Sequence, residues 1–294
     1  MIRTFEYVIN ISQTVKRFLL KNGYSKKCLS FLKSHNGVIL NGSPVFMTAE
    51  MKENDVLKIV FDESEDNSMV VDTCIPLDIV YEDEDIIVVN KQAGLPVHPS
   101  YDNFTHTLAN RLSYYYHIQN ETYVNRCITR LDSDTSGFVL LARNPYSSAL
   151  LSDMLRNKEI HKQYTAIVSG NFTETNGTVN KPIYRPSLDS VKRAVAENTE
   201  GHEAITDYEV IKQVPGASLL HIDTRTGRTH QIRVHMAYIG HPLLGDRLYN
   251  PCPDTMPRQC LHVSWLAFRH PIKKELMEFS SPIPEDMKMT ELTD

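Results

Sequence analysis

The sequence predicts an α+β protein: a larger domain with a mixed, largely antiparallel sheet flanked by helices and loops, preceded by a small α/β unit. Three observations carry this. Residues 12–61 hold two short amphipathic helices and a hairpin, and residues 62–73 carry acids and no base. From residue 74 onward, strands and helices alternate without the βαβ regularity that argues for a parallel sheet. The expected units are 12–61, an acidic linker at 62–73, and 74–294.

Taken in order, Ser12 is expected to cap a helix whose apolar positions Val15, Phe18 and Leu19 recur at helical spacing. Ser25 is expected to cap a second helix with Cys28, Phe31 and Leu32 inward. Val38–Leu40 reads as a strand, and Asn41-Gly42 is a type I′ hairpin signal, since both central residues need positive φ. A further strand ends at Leu57–Val60. In the larger unit, 76–90 reads as a hairpin around Asp83–Asp85, and 105–117 and 146–157 read as helices. Residues 161–170 alternate as a strand, and 219–227 reads as a strand running into a glycine turn. Thr229 is expected to cap a helix carrying Ile232, Arg233 and Met236 that ends near Gly240.

Composition is that of a globular protein, 41% hydrophobic and 23% charged. No apolar run is long enough to span a bilayer and the start lacks a secretory pattern, so no membrane contact is expected. The five cysteines are scattered, with no C-x-x-C pair, which argues for free thiols in a reducing cytoplasm. Net charge is -5, unusual for a nucleic-acid binder, but its distribution is uneven. Residues 12–60 carry eight bases (Lys16, Arg17, Lys21, Lys26, Lys27, Lys33, Lys52, Lys58) against three acids. Phosphate contact needs only such a local positive surface.

The chemistry concentrates in TRLDSDTSGFVLLARN, residues 129–144. Here Asp132 sits among hydroxyls and a glycine at the lip of an apolar strand. Such a carboxylate suits chemistry, but the residues alone leave a purely structural Asx-turn open. No nucleotide-binding glycine motif occurs. His230 and His235 are five apart, which does not place two ligands on one helix face, and Gly201-His202-Glu203 has no second ligand at metal spacing. No metal and no cofactor are expected.

RLDxxTSG followed by an apolar strand resembles the signature of the RluA-type pseudouridine synthases. NKQAGLPVHP (90–99), KQYTAIVSG (162–170), the long run 226–249, LHVSWLAFRHP (261–271) and FSSPIPEDM (279–287) are similar to that family's further motifs, in the family's order. The resemblance covers roughly 74–288. VILNG and NDVLKI in the basic unit resemble the S-four-type RNA-binding module, so the layout is like that of the RluD subgroup. Asn54 stands where that module usually has glycine.

The resemblance implies a cofactor-free isomerase converting uridine to pseudouridine in structured RNA. The RNA would be large-subunit ribosomal RNA by subgroup, with transfer RNA open, and the enzyme a monomer. Asp132 would start cleavage of the base–sugar bond, either by covalent addition or by removing a sugar proton. Tyr164 would lie against the base and assist loss of the carbon-5 proton. Arg233 would pair with Asp132 and orient it. Arg130, beside Asp132, would contact or fill the stack vacated by a flipped base. Arg225, Arg228, Arg247, Lys192 and Arg193, with Lys16, Arg17, Lys26 and Lys27, are the candidates for phosphate contact. Each of these has a bland alternative: a core tyrosine, a helix-surface arginine, a solvated cation.

Thr129 replaces the family's usual His, Ser133 its common Arg, and Gln92 its usual Pro. The first two are expected to shape the RNA-facing loop. Two rival readings stand beside the synthase. One is a catalytically inactive RNA-binding or ribosome-assembly factor. The other is an RNA glycosidase, which would release free uracil.

Overall fold

The computed structural model describes residues 1–64, 76–100, 104–197, 201–252 and 256–289. Most of the expected linker lies outside the described residues.

The first unit contains β1 (Ile2–Val8), β2 (Gln13–Thr14), α1 (Val15–Lys21), α2 (Lys26–Ser34), β3 (Val38–Leu40), β4 (Ser43–Pro44), β5 (Glu50–Met51) and β6 (Val56–Asp62). Its sheet runs β1-β6-β3-β4. The strand β1 pairs with β6 along its whole length, so this unit begins ten residues before the expected start at residue 12. Asn41 and Gly42 both take positive φ, as the hairpin requires. Ser25 caps α2, accepting from the Cys28 N–H. Ser12 does not cap α1. The chain stays extended through β2, which pairs with β5, and Thr14 becomes the cap, accepting from the Arg17 N–H.

The larger unit contains β7 (Ile79–Glu82), β8 (Ile86–Lys91), α3 (Leu108–His117), β9 (Ser136–Ala142), α4 (Pro145–Arg156), β10 (His161–Ser169), β11 (Asn176–Asn180) and β12 (Ile183–Tyr184). Then come β13 (Ala194–Val195), β14 (Ile205–Val214), β15 (Ala217–Thr224), α5 (Gln231–Tyr238), β16 (Leu261–Arg269) and β17 (Leu276–Ser280). One sheet runs β11-β14-β15-β10-β16-β9-β8-β7, with β17 on β16. Its pairings among the described residues are antiparallel except β9 with β16, so the sheet is mixed and largely antiparallel as expected.

Every residue of β9 is buried, because layers cover both its faces: Phe138 and Leu140 join one core cluster, Val139 and Leu141 another. Gly137 takes φ +109°, and a Cβ there would stand 2.3 Å from the Val263 carbonyl oxygen. Only glycine lets β9 approach β16 this closely. The loop before β9 carries Asp132, so this tight crossing positions the site.

The two units share apolar packing. Tyr146 of α4 stacks on Tyr24 at 3.8 Å between ring centroids and belongs to the first unit's core.

Candidate active site

Asp132 sits in a turn closed by its own carbonyl, which accepts from the Thr135 N–H. Its side chain does not fold onto that turn. The carboxylate accepts from Arg233 Nη1 at 3.1 Å, and about a quarter of the side chain is exposed. The Asx-turn alternative therefore does not hold. Asp132 opens on a cavity of about 700 Å³ whose walls include Arg130, Lys162, Tyr164, Arg228, His230 and Arg233. Tyr164 reaches it from β10, its hydroxyl accepting from Lys162 Nζ at 3.1 Å. The structure thus brings Asp132, Tyr164, Arg233 and Arg130 to one cavity.

Arg233 is aimed by a residue that sequence reasoning missed. Fully buried Asp246 accepts from Arg233 Nε and Nη2, both at 2.8 Å, leaving Nη1 free to turn toward Asp132. Burial opposes charge on this guanidinium, but Asp246 and then Asp132 outweigh it, and its pKa is raised. Burial likewise works against the Asp246 carboxylate, yet Arg233 and the Leu248 and Tyr249 N–H groups hold its pKa below the ordinary value. The signal for Asp246 was available: an Asp directly after Gly245 inside an apolar stretch of the 226–249 motif.

The turn itself is held from beneath. Buried Lys91 donates to the carbonyls of Gln92, Leu95 and Ser133 at 2.8–2.9 Å. Burial pulls its pKa down to about 7, while three carbonyl acceptors match the three N–H bonds of the ammonium form. Arg258 donates to the Asp134 carbonyl at 3.1 Å and to Ser136 Oγ at 3.0 Å, and pairs with Asp286. Neither Lys91 nor Arg258 stood among the expected site residues.

Thr129 lies in the wall of the same cavity as Asp132. It is buried, and its hydroxyl accepts from the Leu140 N–H at 3.0 Å. Its departure from the family pattern is an internal bond that ties the Asp132 loop to β9. Thr229 does not cap α5. His230 takes the cap position with φ +58° and no side-chain cap bond. The Gln231 amide serves the helix start instead, accepting from the Arg228 N–H and donating to the Ile205 carbonyl.

The expected phosphate-contacting residues divide. Lys16, Arg17, Lys26, Lys27, Lys192 and Arg247 are exposed. Arg225 is already engaged by Asp207 at 2.7 and 2.8 Å, and Arg193 folds onto the carbonyls of Ser190, Val191 and Lys192. Arg228 lines the cavity while donating to the Glu203 carbonyl. Asp83, Asp85 and His270 place ligand atoms within 4.8 Å of one another, but both carboxylates are already met by cationic groups, Lys273 on Asp83 and Arg3 on Asp85.

Comparison with known proteins agrees with this geometry. The family described as RNA pseudouridylate synthase matches residues 85–238. An uncharacterized RNA pseudouridine synthase of Bacillus subtilis is 36% identical over 275 residues, 93% of this chain and 96% of that protein. The ribosomal large subunit pseudouridine synthase D of Buchnera aphidicola is 36% identical over 279 residues, 90% of this chain and 88% of that one. Among solved structures, human RNA Pseudouridylate Synthase Domain Containing 1 superposes with a TM-score of 0.58 at 28% identity, covering 70% of this chain and 83% of its own. This chain belongs to the RNA pseudouridylate synthase family, as an RluA-type enzyme of the RluD-like group that isomerises uridine in RNA.

Proposed function

We propose that this synthase acts on large-subunit ribosomal RNA with Asp132 as its catalytic carboxylate. The observation that carries the assignment is the partly exposed carboxylate of Asp132 in the cavity wall, 3.1 Å from a guanidinium that buried Asp246 holds in place. Asp132 starts cleavage of the base–sugar bond, and both routes open to it, covalent addition and sugar proton removal, need the carboxylate in this position. Tyr164 lies against the uracil after it turns and assists departure of the carbon-5 proton. Arg233 orients Asp132. Arg130, exposed at the rim, occupies the stack left by the flipped uridine. The preference for ribosomal RNA rests on relatives such as the Buchnera aphidicola protein, whose name places it on the large ribosomal subunit.

The first unit serves as the RNA-holding module. Lys16 and Arg17, and Lys26 and Lys27, stand in the first turns of α1 and α2, where no acid accompanies them. A cation at a helix N-terminus opposes the helix dipole at about 0.3–1 kcal/mol. Helix stability therefore does not account for them, and phosphate contact does. Scattered free cysteines support a cytoplasmic enzyme.

The test is carbodiimide mapping of pseudouridine in total RNA from cells lacking this protein, complemented with wild type or Asp132→Ala. One or a few ribosomal sites should vanish and return with wild type alone. Restoration by Asp132→Ala would remove Asp132 from the mechanism, and a lost site in transfer RNA would redirect the substrate.

A further inference from the structure

Asp132 has a second neighbour that the roles above leave unused. His230 Nε2 lies 3.8 Å from Asp132 Oδ2, the same oxygen that Arg233 contacts. His230 is a non-glycine residue at φ +58°, a conformation that costs free energy and persists only where surrounding contacts impose it. On its other side, His230 Nδ1 stands 2.8 Å from the Tyr249 hydroxyl. The Tyr249 oxygen also accepts from the Arg193 backbone N–H at 2.7 Å.

A phenol has a single O–H, and its oxygen can accept from the Arg193 N–H while donating to a ring nitrogen or accepting from one, so two imidazole tautomers fit the Tyr249 contact. In the tautomer that faces Asp132, the hydroxyl proton goes to Nδ1 and the imidazole N–H stands at Nε2. Burial lowers the His230 pKa against the opposing pull of Asp132, so the neutral form prevails near neutral pH. The charged groups around the ring are Asp132, Arg233, Arg193 and Asp246, with Tyr249 as its hydrogen-bonding partner. Arg193 belongs to the arm between β12 and β13, where Leu188 is 85% and Val191 69% exposed, apolar surface turned outward beside Lys192.

We propose that Tyr249 and His230 form a positioning relay that orients Asp132 according to how the 185–193 arm is seated. The arm sets the Tyr249 hydroxyl and Tyr249 sets the imidazole tautomer; the His230 Nε2–H faces Oδ2 at 3.8 Å, beyond hydrogen-bond range in this structure, and becomes the second donor when the site tightens on substrate. Asp132 is then held from two directions rather than swinging about the single Arg233 contact. Both residues are positioning residues, acting on the reaction through Asp132. The inference rests on the catalytic role proposed for Asp132.

The test uses full-length protein and total RNA from cells lacking it, tritiated at carbon 5 of uracil, with tritium release as the readout of turnover. Tyr249→Phe keeps the ring, over which the Arg233 guanidinium lies at 5.1 Å, and removes only the hydroxyl. Its kcat should fall about tenfold, the effect of one hydrogen bond. His230→Ala should lose about 10²-fold, as for a misplaced reacting group. His230→Gln, which offers an amide N–H near the same place, should recover most of that loss. The double variant His230→Ala with Tyr249→Phe should be no slower than His230→Ala, since both break one relay. RNA dissociation constants should stay at wild-type values throughout, and melting temperatures should fall by only a few degrees, the cost of about one lost hydrogen bond, with every variant folded at the assay temperature. Wild-type kcat in Tyr249→Phe, additive losses in the double variant, or losses confined to KM would each overturn the relay. Asp132→Ala serves as the reference: if it still releases tritium, the catalytic assignment itself has failed, whereas an inactive Asp132→Ala beside an unaffected Tyr249→Phe sinks the relay alone.

Discussion

Asp246 shows how much of the site is decided by a residue that never meets substrate. It is wholly buried and spends both oxygens on Arg233, so the guanidinium arrives at Asp132 in one orientation. Asp246→Asn keeps the shape but leaves a buried cation with half its partner. Removing one member of a buried pair costs about 3–5 kcal/mol. We expect a loss near the lower limit, about 3 kcal/mol, because Asp132 still faces the cation. We also expect kcat to fall about 10²-fold with RNA affinity unchanged. Chemical denaturation and single-turnover rates measure the two effects, and a wild-type rate would mean that this clamp does not orient Asp132. That Asp132, Tyr164 and Arg233 meet at one cavity was legible because their motifs are contiguous and each carries a distinctive residue type. Asp246 was not singled out, because its value depends on a burial and a partner created only when the chain beyond α5 folds back. The inward bond of Thr129 was hidden for a related reason. Its neighbour Arg130 points outward, but the turn sends the Thr129 hydroxyl inward to the Leu140 N–H.

At the scale of elements, the join between β9 and β16 has the least tolerance. A methyl group at Gly137 would meet three backbone atoms of Val263 at 2.3–2.8 Å, and backbone cannot rotate away as a side chain can. Gly42, at φ +84°, has nothing within 4 Å of such a methyl. Gly42→Ala therefore carries only the left-handed conformational cost, about 1 kcal/mol. Gly137→Ala adds overpacking and should cost about 3 kcal/mol or more. Urea unfolding of the two variants checks this, and equal costs would show that the strand separation adjusts freely. Local signals were the readable ones: Asn41-Gly42 and Ser25 act within four residues and were placed correctly. Signals that compete with distant pairing were not. Ser12 lost the cap position because β2 pairs with β5, and β1 went unseen because a single strand has no hairpin partner nearby to announce it. The same holds for α5, whose start is closed by a Gln231 amide bonded to the Ile205 carbonyl rather than by Thr229.

For the whole molecule, the acidic turn between β7 and β8 joins parts far apart in sequence. Asp85 is buried and accepts from Arg3 of β1 and from Asn144 and Ser147 at the start of α4. Asp83 accepts from Lys273 at 2.7 Å and lies 2.9 Å from His270 Nε2 in the segment after β16. One tight turn thus ties the first unit, the catalytic sheet and the C-terminal hairpin together, alongside the Tyr24–Tyr146 stack. Burial alone would raise the Asp83 pKa, but Lys273, the Asp85 and Ile86 N–H groups and the Tyr81 hydroxyl outweigh it and hold it well below the ordinary value of 3.8. A carboxylate depressed in the folded state adds stability that is fully present above its unfolded pKa and is lost as pH falls through the folded one. Asp83→Asn cannot titrate. The variant should be less stable than wild type at neutral pH, and the gap should narrow as pH drops below about 4, because only the wild type forfeits the charge. Urea midpoints across this range measure the gap. A difference that stays constant through acid would mean that the turn binds these parts by shape and neutral hydrogen bonds, with the charge of Asp83 contributing nothing to their union.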